Sequence, residues 1–138
     1  MSDSGFDPVI GALNTSLNLR LLNQNVISSN IANADTPGYK AKALEFETAF
    51  RRALESDQGM QPLQTHPEHL KSSVIDPVYP EIYEDPHGLE TLDGNTVDRS
   101  QEMAKMAENQ ILYDASAELL KRKLGMLKYS VTEGGGNR

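Results

Sequence analysis

Two long stretches of the chain carry apolar residues at helical spacing, and they lie at its two ends. In the first, Ile10, Leu13, Leu17, Ile27 and Ile31 recur at steps of three and four, with Arg20 and Gln24 filling two places in the register. Leu19, Leu22 and Val26 make a second stripe beside it. Asp7 followed by Pro8 is a helix-start signal, a capping side chain ahead of a proline in the first turn. The stop is at Asp35-Thr-Pro-Gly38, because the residue before a proline is pushed out of helical space. The pattern predicts a helix over 8–33.

The second stretch runs from Val97 to about Val131 without a proline. Met103, Met106, Gln110, Tyr113, Ala117, Leu120, Leu124, Leu127 and Val131 fall at alternating steps of three and four, the pattern of a coiled-coil seam. Ala104, Ala107, Ile111 and Ala115 add a second stripe of mostly small residues. Lys121, Arg122, Lys123 and Lys128 lie near the C-terminal end, where cations complement the helix dipole, and Gly134-Gly-Gly136 stops the element. A helix of ~35 residues is about 52 Å long. A compact chain of 138 residues is only about 37 Å across. The first helix, about 39 Å long, covers part of the second but not both of its stripes. Geometry alone therefore calls for partner chains.

Between these lies a heterogeneous middle, 34–96. Ala43–Ser56 reads as a short helix, with Leu44, Phe46, Phe50 and Leu54 on one broad face. Lys71–Ile75 and Pro77–Tyr83 read as short β runs. Prolines stand at 62, 67, 77, 80 and 86, and from Ser72 to Asp98 there are seven acids and no Lys or Arg. The expected architecture is a single, mainly α domain over 1–138. Its long terminal helices pack as a coiled coil with neighbouring subunits, and its proline-rich middle is irregular with short β runs; 132–138 is a tail.

Charge narrows the function. A net charge of −7 removes the basic face that a nucleic-acid binder needs, and an anionic membrane surface is excluded for the same reason. Cysteine is absent, so thiol catalysis, thiolate metal sites and disulfides are excluded together. No apolar run approaches the ~20 residues that span a bilayer, and Met1-Ser-Asp-Ser-Gly-Phe-Asp-Pro8 has neither the basic start nor the apolar stretch of a cleavable signal. His66 and His69 are three apart with Pro67 between them, which suits a solvated loop better than a helical metal pair. His87 sits in a turn, and the acids of 76–98 lack the spacing of a calcium loop. No phosphate-binding glycine loop or nucleophile elbow is present. No catalytic, cofactor-binding or metal-binding residue is assigned.

One string remains, Asn30-Ile-Ala-Asn-Ala-Asp-Thr-Pro-Gly-Tyr39. Locally it is a helix stop and a tight turn, with Gly38 suited to a positive φ. It also closely resembles the N-terminal signature of the bacterial flagellar axial proteins, the rod and hook family. Leu92-Asp-Gly-Asn-Thr-Val-Asp98, the following Glu102-Met-Ala, Asn109-Gln-Ile-Leu-Tyr113 and the short chain resemble the proximal rod members of that family. The resemblance covers about residues 10–50 and 90–131.

It implies a non-enzymatic structural subunit whose terminal helices pack with those of its neighbours in a helical tube that transmits motor torque and houses the export channel. The implied place is the basal body in the periplasm, reached through the flagellar type III export apparatus without cleavage. The implied partners are other rod proteins, copies of itself, the small adaptor that joins the rod to the MS ring, and the ring protein. The helix-to-helix contacts are assigned to Leu13, Leu17, Ile27, Ile31, Met103, Met106, Tyr113, Ala117, Leu120, Leu124 and Leu127. The corner is assigned to Asn30, Asn33, Thr36, Pro37, Gly38 and Tyr39. Two other readings stand beside this one: a cytoplasmic coiled-coil adaptor or export chaperone, and an enzyme using the acidic middle.

Overall fold

The computed structural model describes residues 8–57 and 80–133. In chain order they form helix α1 (Pro8–Ala32), strand β1 (Lys42–Leu44), helix α2 (Phe46–Asp57), strand β2 (Ile82–Glu84) and helix α3 (Arg99–Glu133). The fold is mainly helical, its two long helices packing on one another, with a small two-stranded sheet from the middle of the chain. Asp7, His66, His69, the Lys71–Ile75 run and the Gly134–Gly136 stop lie outside the described residues.

Local chemistry sets the helix ends. Asp98 caps α3: its carboxylate accepts the N–H groups of Ser100 (2.9 Å) and Gln101 (3.2 Å), and its carbonyl accepts the first intrahelical bond from Glu102. At the end of α1 the Asn33 side chain donates to the Ser29 carbonyl at 2.8 Å. The chain then turns through Gly38, whose φ of 71° only glycine adopts without strain.

α1 and α3 run antiparallel, because the partners of Asn23 and Asn30 on α1 are Asn109 and Glu102 on α3, in reverse order. At 1.5 Å per residue α3 is about 52 Å long and α1 about 37 Å. α2 also packs on α1, with Phe50 and Leu54 lining a shallow pocket together with Leu13 and Ser16. The buried apolar residues are Leu19, Val26 and Ile27 of α1, Ala41 ahead of β1, and Ala49 of α2. None is aromatic, in keeping with a chain that has no Trp and three Phe.

Two expectations need correcting. Ala43 and Leu44 belong to a strand, and the short helix begins only at Phe46. Their antiparallel partners are Tyr83 and Ile82, with Lys42 opposite Glu84. Opposite charges across a strand pair favour that register, but a partner forty residues away leaves no local trace. Of the β run expected at Pro77–Tyr83, residues 77–79 lie outside the described residues, and the strand that follows is Ile82–Glu84. Of the expected seam, α1 covers only part. Within the chain α3 turns Glu102, Met106, Asn109, Tyr113 and Leu120 towards cover, whereas Met103, Gln110, Leu124, Leu127 and Val131 are exposed. A count of apolar residues passes over Glu102 and Asn109, which are buried because they are hydrogen-bonded.

Candidate functional site: a polar corner and an exposed apolar row

The corner where α1 ends is built from amides. Asn30 is 1% exposed. Its Nδ2 donates to the Lys42 carbonyl (2.7 Å) and to Glu102 Oε2 (2.8 Å), and its Oδ1 accepts from the Lys42 N–H (2.9 Å) and the Tyr39 hydroxyl (3.3 Å). Both donors and both lone pairs of the amide are used. One side chain thus ties α1 to β1, to the turn and to α3.

Asn95, 2% exposed, does the same for the loop before α3. Its Nδ2 is 2.9, 3.0 and 2.8 Å from the carbonyls of Asn33, Ala34 and Thr36, and its Oδ1 accepts the Val97 N–H at 2.7 Å. These carbonyls belong to the turn just beyond the end of α1. Thr96 accepts the Ala41 N–H at 2.8 Å, and the Gly38 N–H reaches the Asp93 carbonyl at 2.9 Å. Arg99 and Asp35 pair across the outside at 2.6 Å.

The polar contacts continue into the helix pair. Glu102, 2% exposed, also takes Lys105 at 2.7 Å, and Lys105 reaches Asp85 at 3.5 Å. The backbone N–H of His87 holds the Asp85 carboxyl below its ordinary value; burial opposes this and the Lys105 charge adds to it. Burial pulls the Lys105 ammonium down, but Glu102 and Asp85 together hold it above its ordinary value. One heptad along, Asn109 donates to the Arg20 carbonyl and to Gln24, each at 2.9 Å, and accepts from Asn23 at 3.3 Å.

These shifts fix a pH dependence. A carboxyl depressed in the folded state stabilises above the unfolded aspartate value of 3.8 and loses that contribution as the pH falls. An ammonium raised in the folded state stabilises below 10.5 and loses its contribution as the pH climbs past that value. The melting temperature is therefore expected to be flat between these limits and to fall outside both. In Lys105→Met the alkaline fall is expected to shrink, as melting followed by circular dichroism at pH 8 and pH 11 will check.

The assigned residues fall into three groups. Asn30, Asn33, Thr36, Pro37, Gly38 and Tyr39 form the corner, with Thr36, Pro37 and Gly38 exposed. Leu13, Leu17, Ile31, Met106, Tyr113, Ala117 and Leu120 are half-buried, and Ile27 is buried inside the chain. Met103, Leu124 and Leu127 are exposed, as are Ile111, Leu119, Met126, Tyr129 and Val131 beside them. The last of these, 78% exposed, lies beyond the reach of the shorter α1. Sequence reasoning missed Asn95, Glu102 and Asn109. The available signal was the seven-residue step from Asn23 to Asn30, repeated on the other helix from Glu102 to Asn109.

A family model described as flagella basal body rod protein matches residues 12–40, all but the first turn of α1 together with this corner. The flagellar basal body rod protein FlgB of Aeromonas hydrophila is 37% identical over 89% of this chain and 92% of its own length. The chain belongs to the FlgB family of flagellar basal-body rod proteins. Its FlgB relatives include that of Bacillus subtilis, 34% identical over 94% of this chain and 97% of the relative, and that of Escherichia coli K12, 32% identical over 80% and 84%. The cytoplasmic adaptor or chaperone reading finds no support among them. No helix among the described residues is long and apolar enough to cross a membrane.

Proposed function

We propose that this FlgB-family chain is a structural, non-catalytic subunit of the proximal flagellar rod. It packs helically with other rod proteins and with copies of itself, and so helps to build the shaft that transmits torque and encloses the export channel. Its other partners are the adaptor between rod and MS ring, the MS-ring protein and the export apparatus that delivers it uncleaved. The corner of Asn30, Asn95 and Glu102 holds α1 and α3 as one rigid piece. The exposed apolar row of α3, which runs on past the end of α1, makes the contacts between subunits.

The observation that carries this reading is the exposure of that row. Leu124, Leu127 and Val131 continue, at steps of three and four, the side of α3 that Glu102, Asn109, Tyr113 and Leu120 turn towards α1, and they are exposed because the shorter α1 has run out. A row of large apolar side chains along so long a helix is the signature of a surface that is completed by association. In a motile host carrying a tagged copy in place of the native gene, the protein is expected to co-purify with detergent-extracted basal bodies. Recovery wholly in the soluble cytoplasmic fraction would contradict the reading.

A further inference from the structure

Leu89 and Leu92, in the loop between β2 and α3, are the most exposed large apolar side chains among the described residues. Leu89 is 90% exposed and Leu92 wholly so. The loop that carries them is held in shape. The Thr91 N–H donates to the Asn95 carbonyl and the Gly94 N–H to the Thr91 carbonyl, each at 2.9 Å. Gly94 takes a φ of 80°, and a side chain at Gly88 would fall 2.7 Å from Thr96. The Asp93 carbonyl accepts the Gly38 N–H, and Lys40 pairs with Glu90 at 2.7 Å. Two leucines held out from a fixed loop form an apolar knob that only another chain can cover.

The knob has acidic flanks. From 80 to 98 there are six acids and no Lys or Arg. Arg52, Lys105 and Lys40 pair with Glu81, Asp85 and Glu90, and Lys42 stands opposite Glu84 across the strands. Asp93 and Asp98 have no ion pair among the described residues. The Thr91 hydroxyl, with the Asn95 N–H, holds the Asp93 carboxyl below its ordinary value.

The free end of α3 has the opposite character. Lys121, Leu124, Lys128 and Val131 are exposed at steps of three, four and three, so one stripe alternates cation and apolar side chain. From 118 to 133 four cations stand against Glu118 and Glu133, and Arg122 takes Glu118. Lys121 and Lys128 form no ion pair among the described residues. Lys121 lies about 33 Å along α3 from Arg99, beside which the loop ends. The knob and the stripe of one chain therefore cannot meet.

We propose that Leu89 and Leu92 of one copy seat on the Lys121–Val131 stripe of a second copy, with the acids of the loop beside Lys121 and Lys128. The proposal rests on the rod-subunit reading and names what covers the free end of α3. A second copy is the occupant because this chain carries both halves of the contact, apolar against apolar and acid against cation. Like charges keep knob from knob and stripe from stripe, which disfavours a two-fold pair. The contact is head-to-tail, so its repetition closes a ring or extends a helix.

The test uses the full chain in its own host. The photoreactive amino acid p-benzoylphenylalanine is placed at position 92, isolated basal bodies are irradiated, and the joined peptides are mapped by mass spectrometry. The expected product links position 92 to residues 119–131 of a second copy. Leu92→Ala removes a side chain that nothing in the chain covers, so the purified variant is expected to melt as wild type does. Its recovery in basal bodies is expected to fall about tenfold in competition with wild type.

An adduct on another rod protein, an adduct on the 89–93 loop of a second copy, or no adduct at all would overturn the proposal. So would equal incorporation of Leu92→Ala, or a lowered melting temperature, which would mean that Leu92 packs within its own chain. Failure of the rod reading looks different, since the wild-type chain would itself be missing from basal bodies.

Discussion

Asn30→Ala is expected to lower the unfolding free energy by about 3–5 kcal/mol. The figure follows from what the amide leaves behind. The N–H and carbonyl of Lys42 and the Tyr39 hydroxyl each lose a partner, and Glu102 keeps only Lys105 to neutralise a carboxylate that is 2% exposed. Water cannot replace an amide that is itself 1% exposed without opening the corner. A domain of this size has ~5–15 kcal/mol in all, so the variant is expected to be largely unfolded near its host's growth temperature. Asn30→Asp separates chemistry from shape. It preserves the volume, replaces two donors by acceptors and sets a second carboxylate against Glu102, so it is expected to be no better than alanine at neutral pH. Urea unfolding of the purified variants, followed at 222 nm, measures both. A loss under 1 kcal/mol in each would show that the corner is not the joint described here.

The second large effect is on assembly and leaves the free chain alone. Leu124 is 48% exposed near the end of α3, where α1 runs out. Leu124→Asp is expected to change unfolding free energy by no more than ~0.5 kcal/mol, as exposed substitutions do. In the rod the same carboxylate would be sealed in an apolar seam without a partner, which costs several kcal/mol. Cells carrying only this variant are expected to be non-motile and to yield no basal bodies with a complete rod, although the purified protein melts normally. Normal swimming would remove Leu124 from the interface, whereas a destabilised monomer would mean that the side chain is needed inside the chain.

Much of the fold was legible because the two long helices advertise themselves by period and by their ends. Pro8 and Pro37 bracket α1, and a proline-free heptad run from Val97 marks α3. The turn at Gly38 was legible for the same reason: its residues dictate a local backbone shape. What stayed hidden depends on distant partners. Ala43 and Leu44 carry nothing that distinguishes a strand from the first turn of a helix until Ile82 and Tyr83 lie beside them.

Which side of α3 meets α1 stayed hidden for a related cause. Apolar side chains are distributed around both long helices, so periodicity marks α3 as a helix without saying which side meets α1. Glu102 and Asn109 settle the side, and they do so by hydrogen bonds to Asn30, Gln24 and the Arg20 carbonyl. An inventory of hydrophobic positions cannot register them. The resemblance of residues 30–39 to the axial-protein signature identified the family, and the structure gives that string a physical role: it is the joint through which α1, β1 and α3 hold one another.

The account turns on the apolar side of α3 running on past the end of α1 to meet its neighbours, and cysteine labelling tests this most directly. The chain has no native cysteine, so Leu124→Cys introduces a single thiol. Its rate of reaction with a maleimide is measured on the purified chain and on isolated basal bodies. Fast labelling of the free protein and strong protection in the basal body are the predicted results. Equal rates in both would place Leu124 on an open surface of the rod and contradict the central claim.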